Sequence, residues 1–80
     1  MTTVEVRLYA NLQKYFPNLK NGEAKPLTLQ DGANLGDLIT LLKVPRDKIN
    51  MVIVNAKHQT EDYILKPGDR VGIFPLIAGG

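Results

Sequence analysis

Asn34-Leu35-Gly36-Asp37-Leu38-Ile39-Thr40-Leu41-Leu42 is the stretch of this 80-residue chain with a clear amphipathic helical rhythm. Leu35, Leu38, Ile39 and Leu42 recur at the spacing of one helical face, Asn34 is a favoured N-cap residue, and Asp37 stands where a capping-box acid belongs. Pro45 ends the helix at or just before Val44, because the residue ahead of a proline is pushed out of helical geometry. An 80-residue fold can hardly spare its one good amphipathic helix, so the apolar stripe is expected to cover a sheet.

The segments on either side supply that sheet. Upstream, Val4, Val6 and Leu8 alternate with Glu5, Arg7 and Tyr9, the period-two pattern of a strand with one buried face. Ala10 to Phe16 carries Leu12, Tyr15 and Phe16 at helix-like spacing before Pro17 closes the segment, which predicts a short helical turn or two. Asn18 to Glu23 reads as a polar loop. Leu27 and Leu29 flank Thr28 in a short second strand, which Pro26 confines to an edge or a strand start because proline has no N–H to donate. Downstream, Arg46 to Asn50 is a polar connector into the β-prone run Met51-Val52-Ile53-Val54. Asn55-Ala56-Lys57 reads as a turn, and His58 to Thr60 as a short strand that pairs back. Lys66-Pro67-Gly68-Asp69 has proline and glycine at the second and third turn positions, and Val71 and Ile73 alternate with Arg70 and Gly72 in a last strand.

This order predicts an α+β fold, a mixed sheet with one main helix packed across one face, which is the ubiquitin-like β-grasp arrangement. Residues 1–74 form the body, and residues 75–80 form an extended, flexible C-terminal tail that could reach about 20 Å. A hydrophobic content of 44% is adequate for one compact core at this length, and two independent domains are excluded.

Composition narrows the chemistry. With no cysteine there is no disulfide, thiolate metal site or cysteine nucleophile, so sulfur, metal or thioester chemistry must come from a partner. The formal charge of +2 is spread along the chain, and the densest basic stretch, Lys43 to Lys48, contains Asp47 and lacks an aromatic neighbour for base stacking. Nucleic acid is therefore not an expected partner. The N-terminus has no apolar signal core and nothing approaches the roughly 20 apolar residues that span a bilayer, so the expectation is a cytoplasmic protein with no membrane partner. His58 is the sole histidine and cannot build a transition-metal site alone; an exposed strand histidine is the expectation, and no metal site is assigned. Glu61 and Asp62 read as a solvated turn, Gly32 and Gly36 do not make a phosphate loop, and Tyr9, Tyr15 and Tyr63 are given no function.

The chain closes on Phe74-Pro75-Leu76-Ile77-Ala78-Gly79-Gly80, with no side-chain charge after Arg70. Two glycines leave the main-chain carboxylate open to a narrow active site and to backbone angles closed to other residues. Gly80 is thus the candidate reactive residue and Gly79 the residue that gives access to it. Pro75 stiffens the root, and Phe74, Leu76, Ile77 and Ala78 are candidate partner contacts, since a few buried side chains dominate affinity. For Phe74, completion of the last strand and core is the competing reading.

Val54-Asn55-Ala56-Lys57, Leu65-Lys66-Pro67-Gly68-Asp69-Arg70-Val71 and Phe74-Pro75 through Ala78-Gly79-Gly80, in that order, resemble the MoaD/ThiS sulfur carriers. Val6-Arg7-Leu8-Tyr9-Ala10-Asn11-Leu12 also looks like the MoaD pattern of a strand running into a short helix, and the length is closer to MoaD, the small subunit of molybdopterin synthase. Two departures stand out: Leu76, where family members often have a second proline, and Ala56, where they often have a turn glycine. The resemblance implies that the chain is a carrier rather than an enzyme and binds no cofactor of its own. A ubiquitin-activating-type adenylating enzyme, using ATP and Mg²⁺, joins Gly80 to AMP, and a sulfur donor displaces AMP to leave a thiocarboxylate. The acceptor is then the large subunit of molybdopterin synthase, for molybdenum cofactor biosynthesis; in the ThiS alternative it is thiazole synthase, for thiamine. A third possibility is a ubiquitin-like modifier whose tail ends in an isopeptide bond to lysine.

Overall fold

The computed structural model describes residues 1–15 and 23–75. The element order is β1 (Thr2–Leu8), a 3-10 segment (Ala10–Tyr15), β2 (Lys25–Leu29), α1 (Leu35–Leu42), a 3-10 turn (Arg46–Lys48), β3 (Ile49–Val54), β4 (Lys57–Gln59) and β5 (Arg70–Pro75). The five strands form one sheet in the order β2-β1-β5-β3-β4. β1 and β5 run parallel, and the other neighbouring pairs are antiparallel. This mixed sheet crossed by one helix is the β-grasp topology that the pattern predicts.

The alternation in β1 translates directly into burial: Val4, Val6 and Leu8 are buried and Glu5 is exposed. Leu35, Leu38 and Ile39 of α1 join them, with Leu29, Val52, Val54, Val71 and Ile73, in one core. Each such side chain contributes about 1.5–3 kcal/mol by leaving water. The helix begins as expected, with Asp37 N–H donating to Asn34 Oδ1 at 2.8 Å and Asn34 N–H donating to Asp37 Oδ2 at 3.0 Å, a complete capping box. It stops at Leu42 because Lys43 adopts a left-handed conformation (φ 60°), two residues before Pro45.

Pro26 lies in β2, which is an edge of the sheet, so its missing N–H costs no internal ladder bond. Gly68 has φ +84°, and Asp69 N–H donates to the Lys66 carbonyl at 3.1 Å, closing the Lys66-to-Asp69 turn. Two boundaries differ from the sequence pattern. The connector after Pro45 is shorter than Arg46 to Asn50, because β3 starts at Ile49 and crosses an irregularity between Ile49 and Met51. The last strand runs through Pro75, which is buried opposite Ile49, one residue beyond the body boundary expected at 74. Phe16 and most of the expected polar loop lie outside the described residues.

Candidate functional site

β5 is the middle strand of the sheet, and it delivers the chain to Phe74 and Pro75. Its start is fixed by polar contacts that converge on one buried carboxylate. The Asp69 carboxylate, 5% exposed, accepts from the Asn55 side-chain amide, the Tyr63 hydroxyl and the Lys66 N–H, each at 2.9 Å. Burial pushes the Asp69 carboxyl up, but the bonds from Lys66, Asn55 and Tyr63 and the Lys66 charge outweigh it, so it titrates below its ordinary value. Burial, and then donation to Asp69, raise the Tyr63 hydroxyl above its own. Asn55 also accepts from Arg70 N–H at 3.0 Å through its side chain and donates its own N–H to the Arg70 carbonyl at 2.9 Å.

The other end of β5 is held by apolar contact. Parallel pairing sets Leu8 beside Ile73, and Tyr9 N–H donates to the Ile73 carbonyl at 3.2 Å, which brings Tyr9 alongside Phe74. Their rings stack with centroids 4.5 Å apart and planes 3° from parallel. Gly72 lies next to them: a Cβ there would stand 3.2 Å from Tyr9 Cε2 and 3.5 Å from Phe74 Cε2. Immediately after Tyr9 the chain takes a left-handed turn at Ala10 (φ 52°) into the 3-10 segment, whose Leu12 is buried in the core. Arg7, Arg70 and Ile53 complete a shallow hollow of about 160 Å³ beside the stacked rings.

Of the expected site residues, Phe74 is half-buried on the outer side of β5, and Pro75 is buried and ends the strand. Phe74 lies within the last strand, as the competing reading has it, and outside the apolar core cluster. Leu76, Ile77, Ala78, Gly79 and Gly80 lie outside the described residues. Sequence reasoning missed Tyr9 and Asp69. Tyr9 falls on the outward phase of β1 and Phe74 on the outward phase of β5, a signal that becomes a contact only once the two strands are known to be parallel neighbours. A larger hollow of about 300 Å³ lies on the helix side, lined by Leu35, Ile39, Arg46, Met51 and Glu61 among others, and Phe74 does not line it. Arg46 Nε there donates to Glu61 Oε1 at 2.9 Å, so that rim is internally paired. Among the described residues no group of three or more histidine, cysteine, aspartate or glutamate side chains is placed to hold a metal. No helix among them is long and apolar enough to cross a membrane.

Comparison with known proteins extends this picture. A family model described as Mut7-C ubiquitin matches residues 1–79. No curated protein sequence matches significantly. Among solved structures, the fold is similar to a Pyrococcus furiosus protein described as molybdopterin converting factor, subunit 1, at 25% identity and a TM-score of 0.77, covering 96% of this chain and 100% of that one. It is also similar to small archaeal modifier protein 1 of Haloferax volcanii, at 17% identity and a TM-score of 0.77, covering 96% and 100%. Urm1 of Trypanosoma brucei matches at 22% identity and a TM-score of 0.70, covering 99% and 96%. These are small ubiquitin-like proteins, and the last two likenesses concern the fold alone.

Proposed function

This chain belongs to the Mut7-C ubiquitin family, and from that premise we propose that it is a sulfur carrier working through Gly80. The observation that carries the reading is the delivery of the chain along the middle strand to a root fixed at Phe74 and Pro75, followed by Leu76-Ile77-Ala78-Gly79-Gly80 with no charged side chain. A carboxylate at Gly80 is ionised at neutral pH and is a poor electrophile. One of its oxygens attacks the α-phosphorus of ATP on an adenylating partner that holds Mg²⁺, and pyrophosphate leaves. A hydrosulfide-level donor then attacks the acyl carbon, and AMP departs with that oxygen, leaving a thiocarboxylate. The body contributes shape and a docking face and performs no catalytic step. The acceptor is the large subunit of molybdopterin synthase, in keeping with the likeness to the Pyrococcus furiosus protein and the Phe74-Pro75 ending.

Intact mass of the protein isolated from its own cells tests this reading. A fraction with one sulfur in place of one oxygen, located at Gly80 by fragmentation, is expected, and deletion of Gly80 should abolish it while leaving the fold intact. Undiminished thiocarboxylate in the truncation would refute the assignment. The likenesses to small archaeal modifier protein 1 and Urm1 favour a second reading, conjugation of Gly80 to lysines of other proteins. High-mass conjugates that carry this chain, with no sulfur-loaded fraction, would replace the carrier with the modifier.

A further inference from the structure

We propose that the outer edge of β2 pairs with the same edge of a second copy of this chain, antiparallel and centred on Thr28, so that two sheets join into one. The inference is independent of the reading of Gly80. β2 is an edge of the sheet, and among the described residues no strand pairs with its outer side. Which of its backbone groups face outward follows from β1. The Glu5 and Tyr9 N–H groups donate to the Asp69 and Ile73 carbonyls, and the Thr3 carbonyl accepts from Gly68 N–H, so the odd-numbered residues of β1 turn their backbone toward β5. Thr2, Val4 and Val6 turn theirs toward Leu29, Leu27 and Lys25, which leaves Pro26 and Thr28 pointing outward. Gln30 follows in the same phase.

Proline on an edge commonly blocks strand addition, and here it selects one register. With a two-fold axis at Thr28, Thr28 faces its own copy, Leu27 faces Leu29, Pro26 faces Gln30 and Lys25 faces Asp31. The two Thr28 residues exchange N–H to carbonyl bonds, and each Gln30 N–H donates to the Pro26 carbonyl of the other copy. The N–H that Pro26 lacks would have met the Gln30 carbonyl, which already accepts from Ala33 N–H at 3.1 Å. An axis at Leu27 would instead set Pro26 against Thr28 and leave the Thr28 carbonyl of both copies unmet.

The side chains favour the same register. Lys25 and Asp31 are both exposed and of opposite charge, and Asp31 is held in place by the Thr2 hydroxyl, which donates to it at 2.8 Å. Leu27 and Leu29 meet on the helix side. Along that side runs a groove of about 420 Å³ lined by Thr28, Leu29, Ala33 and Leu41, and Leu41 is 53% exposed. Pairing of the two edges brings the second copy alongside this groove. The contact lies across β1 from β5, so Phe74 and Pro75 take no part in it.

Sedimentation velocity of the 80-residue chain from about 1 to about 500 µM tests the pairing, and a reversible, concentration-dependent dimer is expected. Thr28→Pro removes the central donor at a phase where Pro26 is already accommodated, and it should keep the chain monomeric throughout. Should that variant fail to melt cooperatively, Lys25→Glu and Asp31→Lys serve in its place. Each sets like charges opposite one another and should weaken self-association about fivefold or more, and an equimolar mixture of the two should recover it. A wild-type chain that stays monomeric at the highest concentration overturns the inference. So does a dimer that persists in Thr28→Pro, which would place the contact elsewhere, or a mixture that associates no better than either charge variant alone. Failure of adenylation at Gly80 would sink the carrier reading without altering any of these outcomes.

Discussion

The two ends of β5 are held by opposite chemistry. At Asp69 and Arg70 the strand is fastened by charge-assisted hydrogen bonds that converge on one buried carboxylate from a turn, a hairpin and a loop. At Phe74 and Pro75 it is held by a half-exposed ring stack and a buried proline with few polar bonds. The first arrangement makes the fold cooperative, because breaking it strands several polar groups at once. The second leaves half-exposed apolar rings beside a shallow hollow that Arg7 and Arg70 also line.

The sharpest way to separate the two ends is to break the polar one. Asp69→Ala leaves the Tyr63 hydroxyl, the Asn55 amide and the Lys66 N–H without their acceptor and should cost about 3 kcal/mol of stability. The shift of the urea midpoint at constant m-value measures it. If adenylation per folded molecule falls as well, the polar end is not purely structural and the contrast fails.

Acid should act on the same end. The Asp69 carboxyl titrates lower in the folded chain than in the unfolded one, so the unfolded state binds more protons in the intervening window and stability rises with pH there. The contribution is therefore complete above the ordinary carboxylate value of about 3.9 and is lost as pH falls through the depressed folded value. Urea midpoints of wild type and Asp69→Asn, measured from neutral pH downward, should converge only below that value. A gap that closes above about pH 5 would contradict the assignment of this slope to Asp69.

Breaking the apolar end should have the reverse profile. Phe74→Ala removes a half-buried ring and its stack and is expected to cost only about 1–1.5 kcal/mol, while lowering activation far more than Asp69→Ala does. A stability loss as large as that of the Asp69 variant would mean that Phe74 belongs to the core after all.

The contrast between the ends also separates what the sequence displays from what it conceals. The inner face of β1, the capping box of Asn34 and Asp37, the edge position of Pro26 and the glycine turn at Gly68 are legible because each depends on residues within a few positions of one another. The Tyr9–Phe74 stack joins residues far apart in the chain and needs the parallel register of β1 and β5. Asp69 looks like an ordinary turn residue until Asn55 and Tyr63 are brought to it by the hairpin and the loop. The start of β3 at Ile49 is hidden for a related reason: the polar Asn50 interrupts the apolar run at the irregularity, so local pattern places the strand two residues late. Of the candidate site, Gly79 and Gly80 are expectations from composition alone and lie outside the described residues, whereas the Tyr9–Phe74 stack depends on tertiary contact.

The smallest expected effect refines the polar end without breaking it. Asn55 and Ala56 join β3 to β4 with φ values of 52° and 69°, both left-handed, and Asn55 is the residue that hooks this hairpin onto Asp69 and Arg70. Asparagine tolerates that region, but alanine has a Cβ close to the following carbonyl oxygen and is strained there by about 1–2 kcal/mol. Glycine at position 56 would remove the strain, while its greater freedom in the unfolded chain takes back about 0.4–1 kcal/mol. Ala56→Gly should therefore raise stability by about 0.5–1 kcal/mol and leave adenylation kinetics at wild-type values, because the relief is local to the turn that joins β3 to β4. A thermal melt that moves downward would show that the turn's positive φ is not a source of strain. A change in kcat would show that the hairpin and the exit are mechanically coupled through the strand between them.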